Sequence, residues 1–364
     1  MKKDAHTAQR LRYMRRKVKR ALEARLRFKQ YLRQKNFAGE RYPQPKGRRI
    51  RQHNPARGYK KVTAPSILSF IRNAEEVSQF IGELQLCFDS RRPVWVILKG
   101  VKEIDYDGIT VLLSVMVRFK SNRIRFNGDY PAAKDVRTIL EESGFFEYLN
   151  KGQFRDREDF VLPGTGTIHT HAKRQVDSEF GEKLIESASR KVWGQKRRCT
   201  GVQRVLLELM QNTNNHASLD SEGEKHWWLS VKHNRQERRV AFSFVDYGVG
   251  VFHSLQNKPF GSKFHGILDL LSKRVRYGNN ADILQLIFQG VLHTTATGHH
   301  YRGKGLPGVY EAFQKNKISN FAMITNDAFY NSATNEYRIL RNQFQGTFIF
   351  WELTEGNISL PNEN

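Results

Sequence analysis

Cysteine is nearly missing from this chain of 364 residues: there are two, Cys87 and Cys199, far apart and without CxxC or Cys/His spacing. That excludes a disulfide framework and a cysteine-based structural zinc site, and it suits a reducing, cytoplasmic setting. Long apolar runs are lacking as well. A run such as residues 109–117 is interrupted by Thr110 and Ser114 and is too short to cross a bilayer. Basic residues at the N-terminus are not followed by an apolar stretch, which excludes a secretory signal, so no integral membrane segment is expected.

Acidic residues are scarce in one place. Residues 1–62 hold 22 of the 61 lysines and arginines but only Asp4, Glu23 and Glu40 among the 36 acids; +19 of the formal +25 therefore sits there, and +6 is left for residues 63–364. A surplus this uneven belongs to a segment and points to a polyanionic partner. From Thr7 to Asn36 there is neither glycine nor proline, and Leu11, Met14, Val18, Leu22 and Leu26 recur at spacings of three and four. They predict an amphipathic helix with one narrow apolar stripe, flanked by Arg10, Arg12, Arg15, Arg16, Lys17, Lys19 and Arg20. Residues 38–62, with Arg48 and Arg49 among glycines and prolines, are too poor in apolar groups to order themselves alone. Residues 1–62 thus read as a basic helical arm and linker. Its partner is expected to be nucleic acid, DNA or RNA, held through phosphates, with Tyr13, Phe28, Tyr31, Phe37, Tyr42 and Tyr59 available for stacking. A membrane surface and an apolar protein face remain alternatives for the same stripe.

The rest of the chain has the means for two cores, with 39% hydrophobic and 12% aromatic residues overall. Residues 63–150 alternate helices with strands: a helix over 74–88, a buried strand over 94–98, an acidic turn at 104–108 and an apolar helix over 109–119. A strand over 124–126 and a helix over 133–149 complete a small α/β layer fold. Residues 151–172, with Pro163, Gly164 and Gly166, read as a polar connection in which His169 and His171 are solvated. A second domain spans 173–355, with helices near 174–192 and 200–217, strands at WWLSVKH and RRVAFSFVDYG, and final strands near 318–325 and 347–353. A short tail, 356–364, follows.

Four elements of the second domain carry chemistry, and they come in a definite order. Glu208, Asn212 and His216 are spaced i, i+4, i+8 and share one helix face. A carboxylate able to orient water beside a neutral carboxamide oxygen able to hold Mg²⁺ is what nucleotide chemistry needs. Asp246, Gly248 and Gly250 end a hydrophobic strand, where a carboxylate accepts from a base amine and glycines permit close backbone approach. Arg302, Gly303, Lys304, Gly305, Leu306, Pro307 and Gly308 open a helix, a combination of cations and helix N-terminus suited to phosphate. Gly346 and Thr347 enter the last strand with a hydroxyl.

In that order these elements resemble the N box, G1 box, G2 box and terminal Gly-Thr of the GHKL (Bergerat-fold) superfamily, which includes DNA gyrase B and histidine kinases. The resemblance covers roughly residues 174–353. It implies an α/β sandwich that binds ATP and Mg²⁺, with Glu208 as general base, Asn212 as Mg²⁺ ligand, Asp246 reading adenine, and Gly248 and Gly250 lining the base pocket. Residues from about 260 to 303 would form the ATP lid. Thr347 would reach the adenine, and Arg302, Gly303, Lys304, Gly305 and Leu306 would lie by the phosphates. The expected activity is ATP hydrolysis, with protein serine/threonine kinase or a non-catalytic ATP-binding scaffold as alternatives. No phosphoacceptor-histidine helix pair can be assigned before the pocket, and no lysine-bearing second domain is expected after it.

Residues 63–150 resemble the STAS domain of anti-sigma factor antagonists, through the strand 94–98, the turn Ile104-Asp105-Tyr106-Asp107-Gly108 and the apolar helix after it. The resemblance implies a protein partner. Asp107 stands where those proteins carry a phosphorylated serine. It implies either a permanent mimic of the phosphorylated state or a docking scaffold, while an acidic surface turn is the plain alternative. The fold expected is therefore α/β: a STAS-like domain, then a GHKL α/β sandwich, preceded by a basic helical arm.

Overall fold

The computed structural model describes residues 23, 56–150, 166–171, 178–216, 227–248, 250–252, 279–289 and 305–361. The chain divides into two compact units, 1–55 and 56–364. Of the first, only Glu23 is described, exposed on a helix. The arm residues Arg10 to Arg20, Arg48 and Arg49 lie outside the described residues.

The second unit is mixed α/β. It begins with a small parallel sheet of β1 (Lys60–Thr63), β3 (Val94–Ile97) and β5 (Phe126–Gly128), in the order β1-β3-β5. Val62 pairs with Val96, and Val96 with Gly128. A short parallel pair, β2 (Ile67–Leu68) with β4 (Glu103–Ile104), lies alongside in sequence. Helix α1 (Ala74–Asp89) buries Ala74, Val77, Ile81 and Leu84, the spacing of a single apolar face, and Glu75 and Glu76 in its first turn suit the positive end of the helix dipole.

Helix α2 (Tyr106–Ser121) is buried on every side, from Ile109 through Phe119 with few breaks. A helix apolar all round belongs between two layers, and α2 packs on β5 on one side and on two strands of the larger sheet on the other. The helix expected over 133–149 is two, α3 (Lys134–Glu142) and α4 (Phe145–Asn150). It breaks at Ser143, whose hydroxyl bonds back to the Leu140 carbonyl at 2.7 Å.

The larger sheet contains β6 (Gly166–His171), β8 (Trp227–Asn234), β9 (Arg239–Asp246), β10 (Ser319–Asn331) and β11 (Glu336–Leu353). The order is β10-β11-β9-β8-β6 and every pairing is antiparallel. The connection expected over 151–172 therefore ends in an edge strand, and His169 and His171 belong to it, opposite Leu229 and Trp227. Helices α5 (Ser178–Trp193), α6 (Thr200–His216), α7 (Asn280–Phe288) and α8 (Gly305–Gln314) cover one face; β7 (Arg197–Arg198) pairs with β12 (Leu360–Pro361) at its margin.

Strand alternation sorts the side chains into two cores. Phe242, Phe244, Ile349, Trp351, Leu229 and Met323 join the helices α5 to α8. Val245, Tyr247, Phe344, Phe348, Trp228 and Ile324 point the other way and share a cluster with Phe70, Ile81, Leu112 and Met116 of the preceding layer. Residues 63–150 and the larger sheet are thus joined by one continuous core. In β10 the parity flips: Phe321 and Met323 face the helices, and so do Ala328 and Tyr330. The cause is a bulge, seen as register shifts on either side of Asn326. Among the described residues no helix is long and apolar enough to cross a membrane.

Candidate functional site

Strand register brings the polar groups of the sheet into one row. Thr325 of β10 faces Thr347 of β11, Thr347 faces Asp246 of β9, and Asp246 faces Trp227 of β8. Asp246 is 9% exposed and Thr347 8%, while Thr325 is fully buried. The Gly248 N–H donates to Asp246 Oδ1 at 3.0 Å. Burial pushes the Asp246 carboxyl up to about 7, against the opposing pull of backbone N–H groups of Gly248 and Thr347. Thr325 Oγ1 lies 3.5 Å from Thr347 Oγ1, so two hydroxyls stand next to the carboxylate along the row.

Two glycines shape the ground around it. Gly346 has φ 131°, and a Cβ there would collide with the Asp246 carbonyl. Glycine is thus required for β11 to pair against β9 at the row. Gly250 has φ 74°, and its Cβ would occupy the place of the Asn326 carboxamide. That carboxamide accepts from the Phe252 N–H at 3.3 Å, and Thr325 Oγ1 accepts from the Val251 N–H at 3.0 Å. Residues 250–252 open a helical turn, so two of its otherwise unpaired first-turn donors are satisfied by the β10 bulge. The bulge thereby ties the Asp246–Gly250 segment to the sheet.

Glu208 and Asn212 are half-buried on α6, one turn apart. Their helix buries Val205, Leu206, Leu209 and Met210 in the cluster that holds Phe244, two residues before Asp246. The start of α8 lies against α6: Gly308 approaches Arg204, and Arg204 pairs with Glu311 at 3.5 Å. Gly305 is the first residue of α8, and half-buried Leu306 packs on the same cluster. The structure thus gathers Asp246, Gly248, Gly250 and Thr347 at one end of the sheet and sets Glu208, Asn212, Gly305 and Leu306 on two helices packed over one face of it. Arg302, Gly303 and Lys304 lie outside the described residues, as does most of the segment expected to form a lid.

Three residues at this end were not expected from sequence. Thr325 and Asn326 interrupt an otherwise apolar strand, Phe321-Ala-Met-Ile-Thr-Asn, and two polar residues inside such a run were the available signal. The third is Tyr247, between Asp246 and Gly248. Its ring points to the opposite face, and its hydroxyl lies 2.9 Å from Ser114 Oγ and 3.4 Å from the Val111 carbonyl, both on α2. The Arg118 guanidinium sits 4.7 Å from the centre of that ring.

Asp107 is not in a surface turn. It lies in the first turn of α2 at 4% exposure, accepting from Ser69 Oγ at 3.2 Å, the Ile71 N–H at 3.0 Å and the Gly108 N–H at 2.6 Å. Burial, and then the charge of Asp105, raises it to about 6. Its oxygens face inward to the β2–α1 loop, so it presents no surface charge.

No protein-family model matches the chain, and no curated protein matches it.

Proposed function

We propose that the Asp246 end of the larger sheet is a GHKL-type nucleotide site and that the chain is an ATP- and Mg²⁺-binding switch of the cytoplasm. One observation carries the reading. A buried carboxylate at a strand end accepts from the Gly248 N–H at 3.0 Å and stands in register with Thr347, with glycines at positive φ on either side, Gly250 after it in the chain and Gly346 on the neighbouring strand. Buried in this way, Asp246 favours a ligand that donates a hydrogen bond to it, as the exocyclic amine of adenine does. Asn212 and Glu208 offer one carboxamide and one carboxylate oxygen donor set, which fits Mg²⁺ held jointly with phosphates and water. When bound, Mg²⁺ would neutralise phosphate charge; Asn212 would hold it, and Glu208 would orient the attacking water. Hydrolysis is the expected activity.

In this reading residues 63–150 are a STAS-like layer that senses the site, and the basic arm engages nucleic acid. Support for the sensing role is Tyr247, which is adjacent to Asp246 in sequence and anchored on α2 by its hydroxyl and by Arg118. Arg118 continues to Gln85 at 2.7 Å, and Gln85 to Asp89 at 2.7 Å, so polar contacts run from the site to the end of α1. Isothermal calorimetry with ATP and Mg²⁺ tests the proposal. Wild-type chain should bind with about micromolar affinity, and Asp246→Asn should weaken binding at least about tenfold, near 1.4 kcal/mol. Equal affinity in the variant would sink the assignment.

A further inference from the structure

Basic residues gather at the end of the larger sheet remote from Asp246. Helix α5 finishes in Arg190 and Lys191, β7 consists of Arg197 and Arg198, and the β8–β9 turn adds exposed Arg235 and Arg238. Lys191 Nζ lies 2.9 Å from His233 Nε2. An ammonium only donates, so the ring accepts through Nε2 and keeps its proton on Nδ1. That Nδ1 is buried, with no partner among the described residues. Burial, then Lys191, then Arg235, brings the ring down to about 4, and Lys191 is itself lowered by burial and then by Arg235. Three nitrogen groups that prefer an anion face one another instead.

The carboxylates at this end are already engaged. Glu186 pairs with Arg190 at 2.8 Å and Lys196 at 2.7 Å, Glu355 with Arg238 at 2.8 Å, and Glu237 with Arg239 at 2.5 Å. Among the described ion pairs none involves Lys191, Arg198 or Arg235. Two residues after Lys191 at the end of α5, the half-buried Trp193 ring has the Arg197 guanidinium 5.3 Å from its centre, a flat aromatic and cationic pair. In the β8–β9 register His233 faces Val240 and Trp227 faces Asp246. At about 3.3 Å per residue the two ends are roughly 20 Å apart, which makes this surface separate from the nucleotide site.

We infer that the Lys191–His233–Arg235 end is a docking surface for a nucleic-acid strand with exposed bases. Lys191 and Arg235 hold backbone phosphates, and the Trp193–Arg197 pair offers a stacking face to a base. Unpaired cations select a polyanion, and the arginine-rich set with a tryptophan suits phosphates and base faces together, where an acidic protein would need only the charge. The inference is independent of the Asp246 reading and of any role for the arm.

Photocrosslinking the full chain to a 4-thiouridine-containing single-stranded RNA, with peptide mapping, tests it. Adducts are expected in peptides covering residues 190–198 or 232–239, in addition to any on residues 1–62. Adducts confined to residues 1–62 overturn the inference. In parallel, the salt dependence of binding to the same RNA is measured by fluorescence anisotropy. The exposed pair Lys191→Glu and Arg235→Glu should lose about tenfold in affinity and reduce the slope of log K against log salt by about 1.4, near 0.7 per phosphate contact on a single strand. Lys191→Gln with Arg235→Gln repeats the test without new charge, for the case in which reversal upsets folding. An unchanged slope in a folded variant, or loss of binding to anionic phosphatidylserine vesicles with RNA binding intact, counts against the inference.

Discussion

The Tyr247 hydroxyl meets Ser114 Oγ at 2.9 Å inside the core, joining the strand end that bears Asp246 to the helix at the centre of the preceding layer. Tyr247 is buried, and its hydroxyl is held above its ordinary range chiefly by that burial. Tyr247→Phe keeps the ring contact with Phe344 but leaves out the hydroxyl, and it should cost about 1 kcal/mol in urea denaturation. If the proposed sensing is right, ATP binding should protect the amides of α2 from hydrogen exchange in the wild type and less so in Tyr247→Phe. Equal protection in both would remove Tyr247 from the pathway.

The raised Asp246 carboxyl gives a pH prediction with a definite sign. A ligand amine donates to the charged form, so adenosine, which has no phosphate to titrate, should bind more tightly as pH rises from 6 to 8. Stability goes the other way. An acid raised in the folded state costs stability as pH climbs past the ordinary carboxylate range, and the cost is complete above about 7. Urea midpoints of wild type should therefore fall between pH 5 and 8 relative to Asp246→Asn; parallel profiles would show that Asp246 is not buried as charged carboxylate.

At the bulge, Asn326 holds a φ of 52° and accepts from the Phe252 N–H. Asn326→Ala loses the acceptor and places a side chain poorly suited to that conformation, so a loss of about 1–3 kcal/mol is expected. Asn326→Gly should recover the backbone part only. Nucleotide affinity should fall in both variants, because both release the 250–252 turn, and calorimetry at a temperature where both stay folded checks it.

Asp107 allows a test of its inward orientation. Asp107→Ala leaves the Ser69 hydroxyl and two backbone N–H groups without their acceptor and should cost about 1–3 kcal/mol. Asp107→Asn keeps one acceptor oxygen and removes the group raised to about 6, so its deficit should shrink as pH rises from 4 to 7. A surface carboxylate would show neither effect.

Much of this architecture was legible in the residues. Helix α1, strands β3, β8 and β9 and the start of α8 follow from apolar spacing and glycine placement, and Asp246 and Thr347, picked separately, turn out to be cross-strand neighbours. What escaped has a common physical origin. Strand β6, GTIHTH, has too little apolar content to declare itself and exists through its ladder with β8. The outer halves of β10 and β11 were hidden by polar residues on their exposed side, such as Asn331, Glu336 and Arg341, and by the parity flip at Asn326. Thr325 and Tyr247 gain their meaning only from partners distant in sequence, Val251 across the bulge and Ser114 across the layers.

The continuous core also decides how this protein can be dissected. A fragment cut near residue 173 would lose the edge strand β6 from the larger sheet and strip the cover from Trp228, Val245, Ile324, Phe344 and Phe348 at once. Such an aromatic-rich bare face invites self-association. Expression of residues 173–364 by themselves should yield aggregate rather than a working nucleotide-binding module, and biochemistry on the site calls for a chain that retains residues 56–150.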